Sequence, residues 1–158
     1  MGWYNYIGDK MKVTILGTGA YGLALSIVLV ENKNEVVMWT TFESEKNELL
    51  QTKTSSKLKK FKLDDSIKIT TNLEESIKDS KLIVIAIPTA FVTDVCKDLK
   101  KYIKSNQHIC IASKGIEQGT CLFIHDMIKK QIKTKNIGAI SGPSFAIDLV
   151  DGVPVGLA

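Results

Sequence analysis

Apolar residues fall in two rhythms along this chain, and the rhythms take turns. One is the short unbroken run: "KVTIL" at 12–16, "EVVMWT" at 35–40 and "LIVIAI" at 82–87, the last closed by Pro88. Such runs are rich in β-branched residues and predict strands. Continuous rather than alternating hydrophobicity means burial on both faces, as in a parallel sheet sandwiched by helices. The other rhythm is helical. Residues 20–30, "AYGLALSIVLV", are apolar on nearly every side and predict a helix pressed closely on a sheet, broken by Asn32 to Asn34. Val92, Val95, Cys96, Leu99 and Ile103 recur at helical spacing and predict a helix over 91–103. Weaker patterns add helix 43–50, strand 67–70, helix 73–77, strand 108–112, helix 121–132, strand 137–140, helix 145–149 and a last strand over 153–157. Strands and helices alternating at these lengths predict an α/β fold: a doubly wound, mostly parallel sheet with helices on both faces.

Composition adjusts this picture little. A chain of 158 residues with 44% hydrophobic and 24% charged residues is an ordinary globular domain with a real core. No apolar run approaches the roughly 18 to 20 residues that cross a bilayer, so no membrane span is expected. Residues 1–10, "MGWYNYIGDK", have neither a basic start nor an apolar h-region and are not a signal peptide. Met11-Lys12-Val13 reads as the natural start, which makes residues 1–10 a vector-derived extension; a genuine N-terminal extension is the alternative, and only then do Trp3, Tyr4 and Tyr6 form a binding stripe. Residues 11–158 read as one domain. Because the chain stops inside the predicted last strand, it is expected to be truncated there, part of a longer protein, with an unpaired edge that invites self-association.

Three cysteines, an odd number in no metal-like spacing, point to a reducing, cytoplasmic setting. The net charge of +4 rests on lysine alone, because the chain has no arginine. Lysine is a point charge without the forked geometry that clamps phosphate. The basic run 53–62, "KTSSKLKKFK", reads as a solvated loop or helix face rather than a phosphate contact. With no aromatic interleaving and no nucleic-acid motif, no nucleic-acid partner is expected.

Chemistry enters at "GTGAYG", where Gly17, Gly19 and Gly22 occupy the first, third and sixth places. A predicted strand precedes the run and a predicted helix follows it, the context of a Rossmann-like dinucleotide site. Gly17 permits the tight turn, Gly19 lets the backbone approach a pyrophosphate, and Gly22 lets the helix lie against the strand. Free N–H groups at the helix start then receive the phosphates. Whether the cofactor is NAD or NADP stays open. At the end of the second strand, where an acid would hold the ribose, stand Trp39, Thr40, Thr41 and Phe42, with Glu43 only afterwards. Glu43 fits a ribose contact and a plain helix N-terminal glutamate equally well.

Three further segments sit at the carboxyl ends of predicted strands, where such sheets bind ligands. They are "IPTAF" (87–91), "SKGIE" (113–117) and "SGPSFA" (141–146). Taken with "GTGAYG", they resemble the NAD(P)-dependent glycerol-3-phosphate dehydrogenases over residues 11–158. The resemblance implies hydride transfer between a nicotinamide and C2 of dihydroxyacetone phosphate, giving sn-glycerol 3-phosphate for phospholipid synthesis. It implies that the turn with Ala20 and Tyr21 takes the diphosphate and that Phe91 and Ala146 lie on the cofactor side. Thr41 falls where a specificity residue is usual. Lys114 would touch cofactor and substrate, and Gly142 and Ser144 the substrate. An ammonium at Lys114 also makes independent sense beside a developing alkoxide, while Ser144 can equally cap the helix that follows it.

The family's all-helical catalytic domain, with its proton-donating lysine and phosphate-gripping arginine, is absent from these residues. The 158 residues are therefore expected to bind cofactor with little or no turnover, and homodimers to form only in the full-length protein. A stand-alone NAD(P)H-binding sensor or docking module, or a related two-domain hydroxy-acid dehydrogenase, are the alternatives. No metal is expected: His108 with Cys110, and Cys121 with His125 one helical turn apart, are pairs without the four ligands of a structural site. Cys96 reads as a buried core thiol.

Overall fold

A computed structural model describes residues 10–158; Trp3, Tyr4 and Tyr6 lie outside the described residues. Among the described residues, six strands form one sheet: β1 (Lys12–Leu16), β2 (Glu35–Trp39), β3 (Lys68–Thr70), β4 (Leu82–Ile85), β5 (His108–Ile111) and β6 (Ile137–Ala139). Between them run α1 (Ala20–Glu31), α2 (Glu43–Thr52), α3 (Leu73–Ile77), α4 (Thr89–Leu99) and α5 (Ile124–Gln131), with α6 (Ala146–Val150) last. The strand order is β3-β2-β1-β4-β5-β6 and every pairing is parallel. That is the doubly wound Rossmann-like α/β fold, with its order reversing between β1 and β4.

The unbroken apolar runs explain why the sheet is central. Val13 and Ile15 of β1 join Leu23, Ala24 and Met38 in one buried cluster, while Leu16 joins Ile83, Ile85, Val92 and Leu99 in the other. Neighbouring residues of one strand thus feed cores on opposite faces. Each such side chain contributes roughly 1.5–3 kcal/mol by leaving water. Thr14 is the polar exception among the buried residues of β1. It is fully buried, donates to the Ser76 carbonyl at 2.5 Å and shares a 2.6 Å hydrogen bond with the Ser80 hydroxyl, so its burial carries no unpaired group.

Several boundaries differ from the sequence-based expectation, most by a residue or two. Helix α4 starts two residues early, directly after Pro88, and stops at Leu99. Strand β4 ends at Ile85, where the Ser113 hydroxyl meets the carbonyls of Ile85 and Ile87 at 3.0 and 2.6 Å and ties the chain down. Helix α5 begins only at Ile124, and Cys121 stands outside it with φ of +57°, so Cys121 and His125 do not share a helix face.

The expected strand over 153–157 does not form. Pro154 has no N–H to give to a ladder, and the backbone hydrogen bonds between the chain end and the segment after β6 are one reciprocal pair, Ser141 N–H to Ala158 O at 2.9 Å and Ala158 N–H to Ser141 O at 2.7 Å. The predicted open strand at the terminus is accordingly replaced by a loop. No helix among the described residues is long and apolar enough to cross a membrane.

Candidate functional site

The glycine turn is stitched into the sheet on both sides. Gly17 N–H donates to the Trp39 carbonyl of β2 at 2.9 Å, and Ala86 N–H, just past β4, donates to the Leu16 carbonyl at 2.9 Å. This is the point where the strand order reverses, and a cleft of about 520 Å³ opens there. The three glycines differ in what a side chain would meet. A Cβ on Gly17 would lie 2.5 Å from the Ala86 carbonyl oxygen, and its φ of +120° suits glycine alone. A Cβ on Gly22 would lie 2.6 Å from the Gly17 carbonyl oxygen, in the contact between helix and turn. A Cβ on Gly19 would meet nothing among the described residues within 4 Å.

Gly19 therefore needs no bareness for the fold itself. Its backbone, at φ −73° and ψ 168°, is one that any residue adopts. It is the N-cap of α1, no side chain caps that helix, and its first turn holds no acid. The helix start presents uncapped N–H groups and the positive end of its dipole beside an empty approach. These are the requirements of a diphosphate, and they fit the coenzyme inferred from the motif.

Beyond the turn, the cleft wall carries Thr41, Phe42 and Phe91, both rings more than half exposed. Four further polar groups form a set that the sequence did not reveal. Glu45 Oε2 accepts from the hydroxyls of Thr18 (2.5 Å) and Thr40 (2.8 Å), while Oε1 accepts from Lys57 Nζ at 2.5 Å. Partial burial pushes the Glu45 carboxyl up, but the bonds from Lys57, Thr18 and Thr40 outweigh it and hold the group below the ordinary range. Glu43, the acid singled out from sequence, instead accepts from Thr71 at 2.5 Å and Lys46 at 3.2 Å on the exposed side, and it does not line the cleft. The signal lay in the helix start. With Phe42 as N-cap, Glu45 is the third residue of α2, where an acid commonly reaches back past the cap. Lys57, from the run expected to be solvated, forms part of the same wall.

The cleft thus gathers Gly17, Gly19, Thr41 and Phe91. Ala20, Tyr21 and Gly22 form the first turn of α1 at its edge. The remaining predicted residues stand outside the cleft lining. Tyr21 shares a 3.0 Å hydrogen bond with the buried Ser144 hydroxyl, so Ser144 spends its side chain on α1 rather than capping α6, whose N-cap is Phe145. Ala146, half-buried, opens α6, the helix packed on α1. Gly142 lies against the chain end, where a Cβ would come 2.1 Å from the Gly156 carbonyl oxygen. Lys114 is exposed on the loop after β5; its carbonyl accepts from Thr89 at 2.7 Å, which ties this loop to the start of α4.

Two of the three thiols, Cys96 and Cys110, are held in the unreactive protonated form. Burial pushes Cys96 up to about 12 and also raises Cys110, despite a bond from the Ile140 N–H. No group of three or more His, Cys, Asp or Glu side chains suited to a metal occurs among the described residues.

The sequence profile of the family described as "NAD-dependent glycerol-3-phosphate dehydrogenase N-terminus" matches residues 12–158. A glycerol-3-phosphate dehydrogenase (NAD(P)+) of Fusobacterium nucleatum is 34% identical over 147 residues, spanning 91% of this chain and 44% of its own. Another, from Agathobacter rectalis, is 37% identical over 137 residues, 85% of this chain and 40% of its own. The chain spans less than half the length of these curated relatives. A crystal structure of glycerol-3-phosphate dehydrogenase from Coxiella burnetii superposes with a TM-score of 0.86, covering 94% of this chain and 46% of that one; at 23% identity it shows the shared fold.

Proposed function

We propose a function on one premise, that the chain belongs to the NAD-dependent glycerol-3-phosphate dehydrogenase family as an N-terminal, NAD(P)-binding domain. In the enzyme it forms part of, it holds the coenzyme while dihydroxyacetone phosphate and sn-glycerol 3-phosphate are interconverted, a step that feeds glycerophospholipid synthesis. When bound, the nicotinamide coenzyme supplies or accepts the hydride.

This chain's residues bind and orient. The uncapped N–H groups of Ala20 and Tyr21 take the diphosphate, with Gly19 leaving it room and Gly17 and Gly22 fixing the turn. Thr41 faces the ribose, and Phe91 and Ala146 flank the nicotinamide half. Lys114 places its ammonium beside the substrate carbonyl, where negative charge grows as that oxygen becomes an alkoxide. Gly142 and Ser144 shape the substrate side, with the Tyr21 hydroxyl holding Ser144 in place. The domain extends over residues 11–158.

The observation that carries this reading is the open space over Gly19 between two glycines whose bareness the fold itself requires. Gly19→Val should stay folded, because its backbone is unstrained and its Cβ meets no atom of the described residues, yet it fills the diphosphate approach. A loss of NADH affinity of roughly tenfold or more, about 1.4 kcal/mol, is expected by fluorescence titration. Unchanged NADH affinity in a folded Gly19→Val chain would overturn the reading.

A further inference from the structure

The cleft wall beyond β2 carries a fixed charge that the coenzyme's diphosphate does not use. We propose that Glu45, held by Thr18, Thr40 and Lys57, makes this cleft select NAD(H) over NADP(H). The inference rests on reading the cleft as a dinucleotide site, and it assigns the residue that tells the two coenzymes apart.

Position comes first. In a sheet of this order the ribose of the adenosine half lies at the carboxyl end of β2. Glu45 is tethered there: Thr40 is the residue that follows β2, and Thr18 lies inside the glycine turn. One carboxylate thereby bridges the diphosphate turn and the ribose end. Two buried hydroxyls and an ammonium hold it in place, so it does not swing aside when a ligand arrives.

Capacity comes second. A carboxylate offers about four acceptor positions. Oε2 uses two on Thr18 and Thr40, and Oε1 uses one on Lys57. One position on Oε1 is left for a donor, and a ribose 2′-hydroxyl is a donor. A 2′-phosphate is not, and it brings added negative charge to the same place.

Charge decides the direction. The ionisable residues lining the cleft are Glu45, Asp94, Asp98 and Lys57. Asp94 and Asp98 are exposed and paired with Lys97 and Lys101 at 2.8 and 2.7 Å. Among the described residues Lys57 is the one cation of the wall, and it is paired with Glu45 at 2.5 Å. A Lys57 ammonium shared between a carboxylate only 28% exposed and a 2′-phosphate has three donors but a single positive charge, and it offsets only part of their combined negative charge. Lysine also lacks the fork with which arginine holds such a group, and the chain has no arginine.

The test is a pair of fluorescence titrations, NADH and NADPH, on the 158-residue chain and two variants whose folding is checked by circular dichroism. The parent is expected to bind NADH about tenfold more tightly or better, the scale of one partly neutralised like-charge contact. Glu45→Gln keeps the shape, removes the charge and frees Lys57, so the ratio should shrink, chiefly through tighter NADPH binding. Lys57→Ala leaves Glu45 bare and should widen the ratio, and as a loop substitution it serves even if Glu45→Gln fails to fold. NADPH binding as tight as NADH in the parent, or a ratio that neither variant moves, would overturn the inference while leaving the dinucleotide site standing. A folded parent that binds neither coenzyme would overturn both.

Discussion

Gly17, Gly19 and Gly22 are bare for three separate reasons, and single substitutions separate them. Gly17→Ala forces a Cβ to within 2.5 Å of a carbonyl oxygen at a positive φ, so it should lower unfolding free energy by about 1–3 kcal/mol or more in a urea titration. Gly19→Val should leave stability nearly intact and remove coenzyme affinity. A motif match treats the two alike; only the distance from a Cβ at each position to its neighbours tells scaffold from site. Glu45 gives a second prediction at this scale. Its carboxyl is held below its ordinary value of 4.5 in the folded chain. A group depressed on folding stabilises fully above its unfolded value, and that contribution disappears as pH falls through the lower folded one. Glu45→Gln should therefore flatten the loss of stability on acidification below about pH 4.5, followed by thermal melts across acid pH.

Among the elements, α4 shows how far an apolar pattern can be trusted. Val92, Cys96 and Leu99 are buried as their spacing predicts. Cys96 is fully buried with its thiol pushed up to about 12, whereas Cys121 is exposed on a loop. At neutral pH, a thiol reagent on the native chain should label Cys121 readily and Cys96 only after unfolding, with mass spectrometry of the peptides as the readout. The strong strands were legible for the same reason that Cys96 was: β1, β2 and β4 are buried on both faces, so their composition leaves no other solution. Where an element lies at the edge of the fold, composition stopped being a guide. Residues 153–157 look like a strand, yet Pro154 and a single reciprocal pairing leave them a loop. Residues 121–123 look helical, yet the helix waits for Ile124. Glu45 was overlooked for a related reason. Its partners Thr18, Thr40 and Lys57 come from three separate segments, and no local pattern says that a turn, a strand end and a loop will converge on one carboxylate.

For the whole molecule, the site belongs to the topology more than to any element. The cleft exists because strand order reverses between β1 and β4, leaving the helix that follows β1 and the segment that follows β4 on opposite sides of a gap. A ligand bridging that gap stabilises the folded chain as a unit. At NADH one hundred times above its Kd, linkage adds about 2.7 kcal/mol, which for a domain of this size raises Tm by roughly 5–10 °C. Differential scanning fluorimetry with and without NADH checks this, and NADPH at the same concentration should shift Tm less.

The stitching of Gly17 to both neighbours also governs when the site can come into being. As the chain is synthesised, β1 and β2 leave the ribosome early and can pair at once, but the other flank of β1 stays bare until β4 follows. The wall against which Gly17 turns is Ala86, so the loop keeps no fixed shape until that late arrival docks. A nascent chain halted before Leu82 should hold half a sheet and no grip on coenzyme; competence arrives with the crossover, long after the glycines themselves have emerged.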